Sequence, residues 1–209
     1  ETDLFVFALV DGPFSAAVKA WGWEQALVKL TQLPPDVARF MAEAVVEQAV
    51  FVQRLAEAGA DGILIGDDIA YRRSAYVQPA ALRQSYFPYL TVLVEACQQA
   101  GLPAVFHSDG NLWDVLADLV ATGINGLQGL EPAAGMSLAG VRAKVGPDLC
   151  LWGNVDIGWL AQPRPAAEIT AEVQRLLAPL AGTPVILGTS GGLMAGLPGA
   201  QVEAMFSAV

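Results

Sequence analysis

The chain has 209 residues and a formal net charge of −10, with 54% hydrophobic and only 15% charged residues. That is enough apolar material for one sizeable core, and the acidic balance argues against nucleic acid or an anionic membrane surface as partner. No apolar run approaches the roughly 20 residues of a membrane span, and Cys97 and Cys150 are too few for a disulfide framework and read as free thiols in a reducing cytoplasm.

The chain opens on "ETDLFVFALV", with no initiator Met and no basic segment of a secretory signal. A strand is expected over 4–10, and the native protein is expected to be longer than this chain. One unit then recurs: a helix end, a Gly, a few polar or Pro residues, and a short apolar strand. It appears as "AEAGADGILIG", "QQAGLPAVFHS", "VATGINGLQGL", "AKVGPDLCLWG" and "LAGTPVILGT". Gly59, Gly101, Gly123, Gly146 and Gly182 suit the position after a helix, where a positive φ is cheap without a Cβ. Strands are expected near 61–65, 103–106, 125–129, 149–152 and 184–187, apolar on both faces as parallel strands under helices are.

Between them, residues 35–58 place Val37, Phe40, Met41, Ala44, Val45, Phe51, Val52 and Leu55 at helical spacing, interrupted only at Gln48. Helices are also expected over 79–100, 111–121, 137–145 and 165–180, with Pro35, Pro79 and Pro165 at their starts. Alternation of this kind means α/β with a parallel sheet. No Gly-x-Gly-x-x-Gly follows the first strand, so a dinucleotide fold has no support. A single-domain (β/α)8 TIM barrel over 1–209, with two strand–helix units absent, is the expected fold.

In such a barrel the chemistry sits at the C-terminal strand ends. Those ends carry Asp11, then Asp67 and Asp68, then His107, Ser108 and Asp109, then Gln128 and Glu131, then Asn154 and Asp156, and last Thr189 and Ser190. Any one of these could be a helix cap or turn residue; six strand ends in register imply a mouth. His107 is the only histidine, and a neighbouring carboxylate would hold its tautomer. His107, Asp109, Asp68 and Glu131 are the candidate catalytic residues. Asp11, Asp67, Arg72, Asn154, Asp156 and Ser190 are candidate substrate contacts. His107, Asp109 and Glu131 could bind a divalent metal such as zinc, and no Cys lies at the mouth to make a zinc–thiolate centre. The Gly-rich "GTSGGLMAGLPG" could bind phosphate or simply close the mouth.

The ordered series "GPF" (12–14), "GADGILIGDDIAY" (59–71), "VQPAALRQSYFPYL" (77–90), "FHSDGN" (106–111), "LWGNVDIGWL" (151–160) and "LGTSGGLMAGLP" (187–198) resembles the uroporphyrinogen decarboxylase superfamily. The resemblance implies a (β/α)8 barrel whose first two units have no counterpart here. It also implies a small-molecule substrate and one of two chemistries. The decarboxylase branch uses no cofactor, but its expected Tyr, Ser and His fall at Lys19, Asp68 and Gly191. The methyltransferase branch carries His-x-Cys and a later Cys for zinc; here His107 matches and both thiolates do not. A corrinoid-linked methyltransferase or demethylase, working with a corrinoid protein as partner, is therefore the first expectation. The decarboxylase of tetrapyrrole biosynthesis and a non-catalytic tetrapyrrole or corrinoid binder are the alternatives. A cytoplasmic homodimer without membrane contact is expected.

Overall fold

A computed structural model describes residues 3–209. Six parallel strands form one sheet in sequential order: β1 (Phe7–Asp11), β2 (Gly62–Gly66), β3 (Ala104–Ser108), β4 (Gly126–Gly129), β5 (Cys150–Val155) and β6 (Val185–Thr189). Each strand is in register with the next through the apolar runs read from the sequence. The fold is α/β, a six-stranded stretch of barrel. The sheet curls enough for Phe7 on β1 to meet Trp152 on β5, with ring centroids 5.1 Å apart.

Along each strand one set of side chains faces the helices and the other the barrel interior. Ile63, Ile65, Phe106 and Leu127 lie on the helix side and are fully buried. Burying such a side chain contributes about 1.5–3 kcal/mol each, so these strands are fixed by the helices behind them. The long helix α3 (Pro35–Glu57) supplies Val37, Met41, Val45 and Val52 to this layer. The five glycines placed after helices all have positive φ.

The structure corrects several boundaries. Between β1 and α3 lie two helices that the apolar spacing does not announce, α1 (Pro13–Trp21) and α2 (Trp23–Gln32). The helix expected over 79–100 is two, α4 (Pro79–Ser85) and α5 (Phe87–Gln99). Tyr86 leaves helical geometry between them, at φ −131°, and Pro88, which has no N–H to give, sits in the first turn of α5. Helix α6 covers only Leu116–Ala121, because 111–115 is spent on turns. Helices α7 (Leu138–Val145) and α9 (Ala166–Leu177) fall where expected, and a short α8 (Ile157–Leu160) and a terminal α10 (Gly199–Phe206) complete the chain. Strand β3 runs to Ser108, so His107 is on the strand and not beyond it.

Asp67, expected to contact substrate, is instead a buried structural acid, 1% exposed. Its Oδ2 accepts from the Phe14 amide at 3.0 Å and the Tyr86 hydroxyl at 2.8 Å, and its Oδ1 from the Ser15 amide at 2.6 Å. The carboxylate thus caps the first turn of α1, where helix N–H groups have no partner of their own. It also pins the α4–α5 junction. Gly12 is required here, since a Cβ would lie 2.0 Å from Asp67 Oδ2.

Burial pushes the Asp67 carboxyl up from 3.8 to about 6, against the pull of its donors. Because the folded value lies above the unfolded one, ionising Asp67 costs stability as pH rises from about 4 through 6. Asp67→Asn should remove that part of the pH dependence, and Asp67→Ala should destabilise by about 2–4 kcal/mol by stranding buried donors. Urea unfolding of the three proteins between pH 4 and 8 checks both; an unchanged pH profile in Asp67→Asn would show that Asp67 does not titrate there.

Candidate functional site

His107 projects from β3 into the mouth with its side chain 23% exposed. Its Nδ1 is hydrogen-bonded to Oε1 of Gln128, its register partner on β4. The second ring nitrogen, Nε2, faces Asp68 Oδ1 at 3.5 Å. Asp68 follows Asp67 directly and points the opposite way, 56% exposed.

Asp68 is held in turn. Its Oδ1 accepts from the Asp109 amide at 2.8 Å. Ser108 Oγ accepts from the Ile69 amide at 3.1 Å and donates to the Asp109 carbonyl at 2.8 Å. Gly110 donates its N–H to Glu131 Oε2 at 3.1 Å. Asn111 donates its own N–H to the Tyr71 carbonyl at 2.8 Å and its side-chain amide to the Ala134 carbonyl at 2.9 Å. The loops after β2, β3 and β4 are therefore laced together by polar contacts. Gly110 has φ +84°, and a Cβ there would meet the Ala70 backbone at 2.6 Å; the "DGN" turn works only with glycine at its centre.

Asp68, His107 and Asp109 each offer a ligand atom within 4.8 Å of the others. One imidazole nitrogen with two carboxylate oxygens is a donor set for a hard or borderline divalent cation. Of the expected ligands, His107 and Asp109 fall in this cluster with Asp68, while the Glu131 carboxylate accepts from the Gly110 amide. Asp109 Oδ1 is buried and has no hydrogen-bond partner. Burial pushes the Asp109 carboxyl up; the charges of Asp68 and Glu131 push it further, and His107 opposes them.

The other expected contacts scatter. Asn154 is buried, its amide donating to the Leu130 and Met136 carbonyls at 2.7 and 3.1 Å, which ties β5 to the loop after β4. Asp156 accepts from the Trp159 amide at 2.8 Å and caps α8. Ser190 accepts from the Ile157 amide at 3.3 Å. Asp156, Ser190, Asp109 and Glu131 still line one cavity of about 270 Å³. Asp11 pairs with Lys19 and borders a separate cavity against α3. Arg72 is exposed and, among the described residues, pairs with no carboxylate.

An aromatic wall beside His107 was not singled out in the sequence. Trp23 packs edge-on against Tyr76 with centroids 4.7 Å apart; Tyr76 stacks on Tyr71 at 5.5 Å and on Phe14 at 6.3 Å. Phe14 and Trp23 line a cavity of about 360 Å³ that also reaches Asp68 and His107. Burial, then the charges of Asp68, Asp109 and Glu131, hold the Tyr76 hydroxyl above its ordinary range, which places that hydroxyl within the field of the acids. The only sequence signals were "WGW" and two "AY" pairs, neither of which says that the rings meet.

The balance around Asp109 can be tested by carbon-detected NMR titration of its carboxyl. Asp68→Asn should lower the Asp109 pKa, by removing a like charge. His107→Ala should raise it, by removing the opposing group. Shifts in the other direction would mean that these groups do not share one field.

A comparison with curated proteins finds no match. Among solved structures, a methyltransferase from Methanosarcina mazei superposes with a TM-score of 0.81 at 24% identity, covering 100% of this chain and 59% of its own. A dihydropteroate synthase from Xanthomonas albilineans follows at a TM-score of 0.48 and 18% identity, covering 97% of this chain and 64% of its own. The first likeness shows the fold, a TIM-barrel architecture of which this chain spans 59% of the methyltransferase's length. The family model for uroporphyrinogen decarboxylase (URO-D) matches residues 1–209, and the chain belongs to that family.

Proposed function

We propose that this protein is a methyltransferase-type member of the family, which takes a methyl group from a small methylated substrate and passes it to a corrinoid protein. The observation that carries this reading is the acidic mouth around His107. Asp68 and Asp109 stand within reach of one imidazole, with Glu131 near enough to act on Asp109, and such a mouth repels a tetrapyrrole bearing many carboxylates. A reduced corrinoid on the partner would accept the methyl group. An ether oxygen as the leaving atom then needs a proton or an electrophile, whereas an ammonium nitrogen leaves as a neutral amine without one. His107 Nε2, oriented by Gln128 through Nδ1, faces the mouth where that proton is required. Asp68 holds the ring and balances its charge when it is protonated.

The Asp68, His107 and Asp109 donors also fit a divalent cation. Such an ion would supply Lewis-acid activation of the leaving atom when bound. The family model's own name keeps decarboxylation as the second reading.

Incubating the protein with methylated amines and methyl ethers and a reduced corrinoid protein, followed by absorbance, tests the first reading. Methyl transfer from an ether should fall about 10²–10⁴-fold in His107→Ala. Elemental analysis should show a divalent metal near one per chain, lost in that variant. Release of carbon dioxide from uroporphyrinogen without methyl transfer would establish the second reading instead.

A further inference from the structure

We infer that the cavity beside His107 binds a soft organic cation, so that the methyl donor is a methylated ammonium compound. This rests on the methyl-transfer reading above and names its substrate class.

The cavity of about 360 Å³ lies between Leu9, Phe14, Val18 and Trp23 on its apolar side and Asp68 and His107 at its floor. That is room for a small organic molecule. The apolar wall continues outward through Tyr76 and Tyr71. Trp23 is 43% exposed, Tyr71 44% and Tyr76 36%, so an open aromatic surface meets the cavity rather than a packed core. Aromatic faces attract cations through the ring quadrupole, and best those with a weak hydration shell. A compact inorganic ion would not need such a wall, and a neutral or anionic ligand would not use the floor.

The charges agree. The basic group lining this cavity is Lys19, and it is paired with Asp11. Against it stand Asp68 at the floor and Asp109 beside it, with Glu131 and Asp156 lining the neighbouring cavity that Asp109 shares. Four carboxylates leave the mouth negative even if the Asp68–His107–Asp109 set holds a divalent cation. A methylammonium group seated between Trp23 and Asp68 would offer its methyl carbons toward the open mouth. Transfer of one methyl, as a cation equivalent, to the reduced corrinoid breaks the C–N bond. It leaves the electron pair on nitrogen, so a quaternary ammonium departs as a neutral tertiary amine and a protonated tertiary amine as a neutral secondary amine, with no proton needed in either transfer.

Calorimetric titration with choline and with its neutral isostere 3,3-dimethyl-1-butanol isolates the charge from the shape. Choline should bind at least about 5- to 30-fold more tightly, the range expected of a cation–aromatic contact of 1–2 kcal/mol. Trp23→Leu and Asp68→Asn should each abolish most of that difference. Tyr76→Phe, which keeps the ring, should retain it, and the melting temperature of each variant shows whether it folds. Equal binding of the two probes, or choline binding unmoved in a folded Trp23→Leu, would overturn the inference. Methyl transfer from neutral ethers alone would sink this inference and leave the methyl-transfer reading standing. Tight choline binding with no transfer from any donor would do the reverse.

Discussion

The Asp67 carboxylate holds two amides at the start of α1 and the hydroxyl that closes the α4–α5 junction. Three separate parts of the chain therefore meet on one buried anion. An ionised acid so placed costs desolvation, and its raised pKa measures that cost. Its donors return part of it, and what remains is offset by the position of β2 that it fixes. Tyr86 is suited to the task, because burial and the Asp67 charge keep its hydroxyl protonated well above the ordinary range. With Asp67 anchored on the helix side, strand geometry turns Asp68 toward the mouth, where it meets His107. The reactive face of the site is in this sense the reverse side of a structural one.

The strands were legible because parallel strands under helices must be apolar on both faces, and because β2 to β6 each follow a glycine that ends a helix. Helices α1 and α2 were not. "PFSAAVKAW" and "WEQALVKLTQ" are too short to repeat an apolar stripe, and only Gly22 divides them. The break at Tyr86 was hidden because Leu82, Tyr86 and Leu90 keep helical spacing across it, all three fully buried. Pro88 was the local signal. The mouth itself was legible as a set of strand ends. Which of two adjacent acids faces it was not, since "DD" is symmetric in sequence; only the donors of α1, far off in the chain, choose Asp67 for burial. The same holds for Asn154, whose partners lie on the loop after β4. The aromatic wall was invisible for a similar reason, as its rings come from α1, α2 and the loop after β2.

Below the mouth, the barrel interior is filled by pairing large side chains with glycines. Phe7 lies beside Gly62, where a Cβ would come within 2.7 Å of its ring. Trp152 lies beside Gly188, where a Cβ would come within 2.8 Å of the indole nitrogen. Phe7 and Trp152 then meet each other and plug the lower part of the interior. One layer higher, Gly66 stands next to His107 in register, with Leu9 close on its other side. No side chain from β2 therefore crowds the imidazole. Gly66 lines the cavity with Leu9, Phe14, Trp23, Asp68 and His107. A Cβ at 66 would already come within 3.0 Å of the Leu9 side chain. The glycines that make the lower barrel close-packed thus make its upper layer hollow, and the difference lies only in whether a neighbouring strand supplies an aromatic ring to fill the gap.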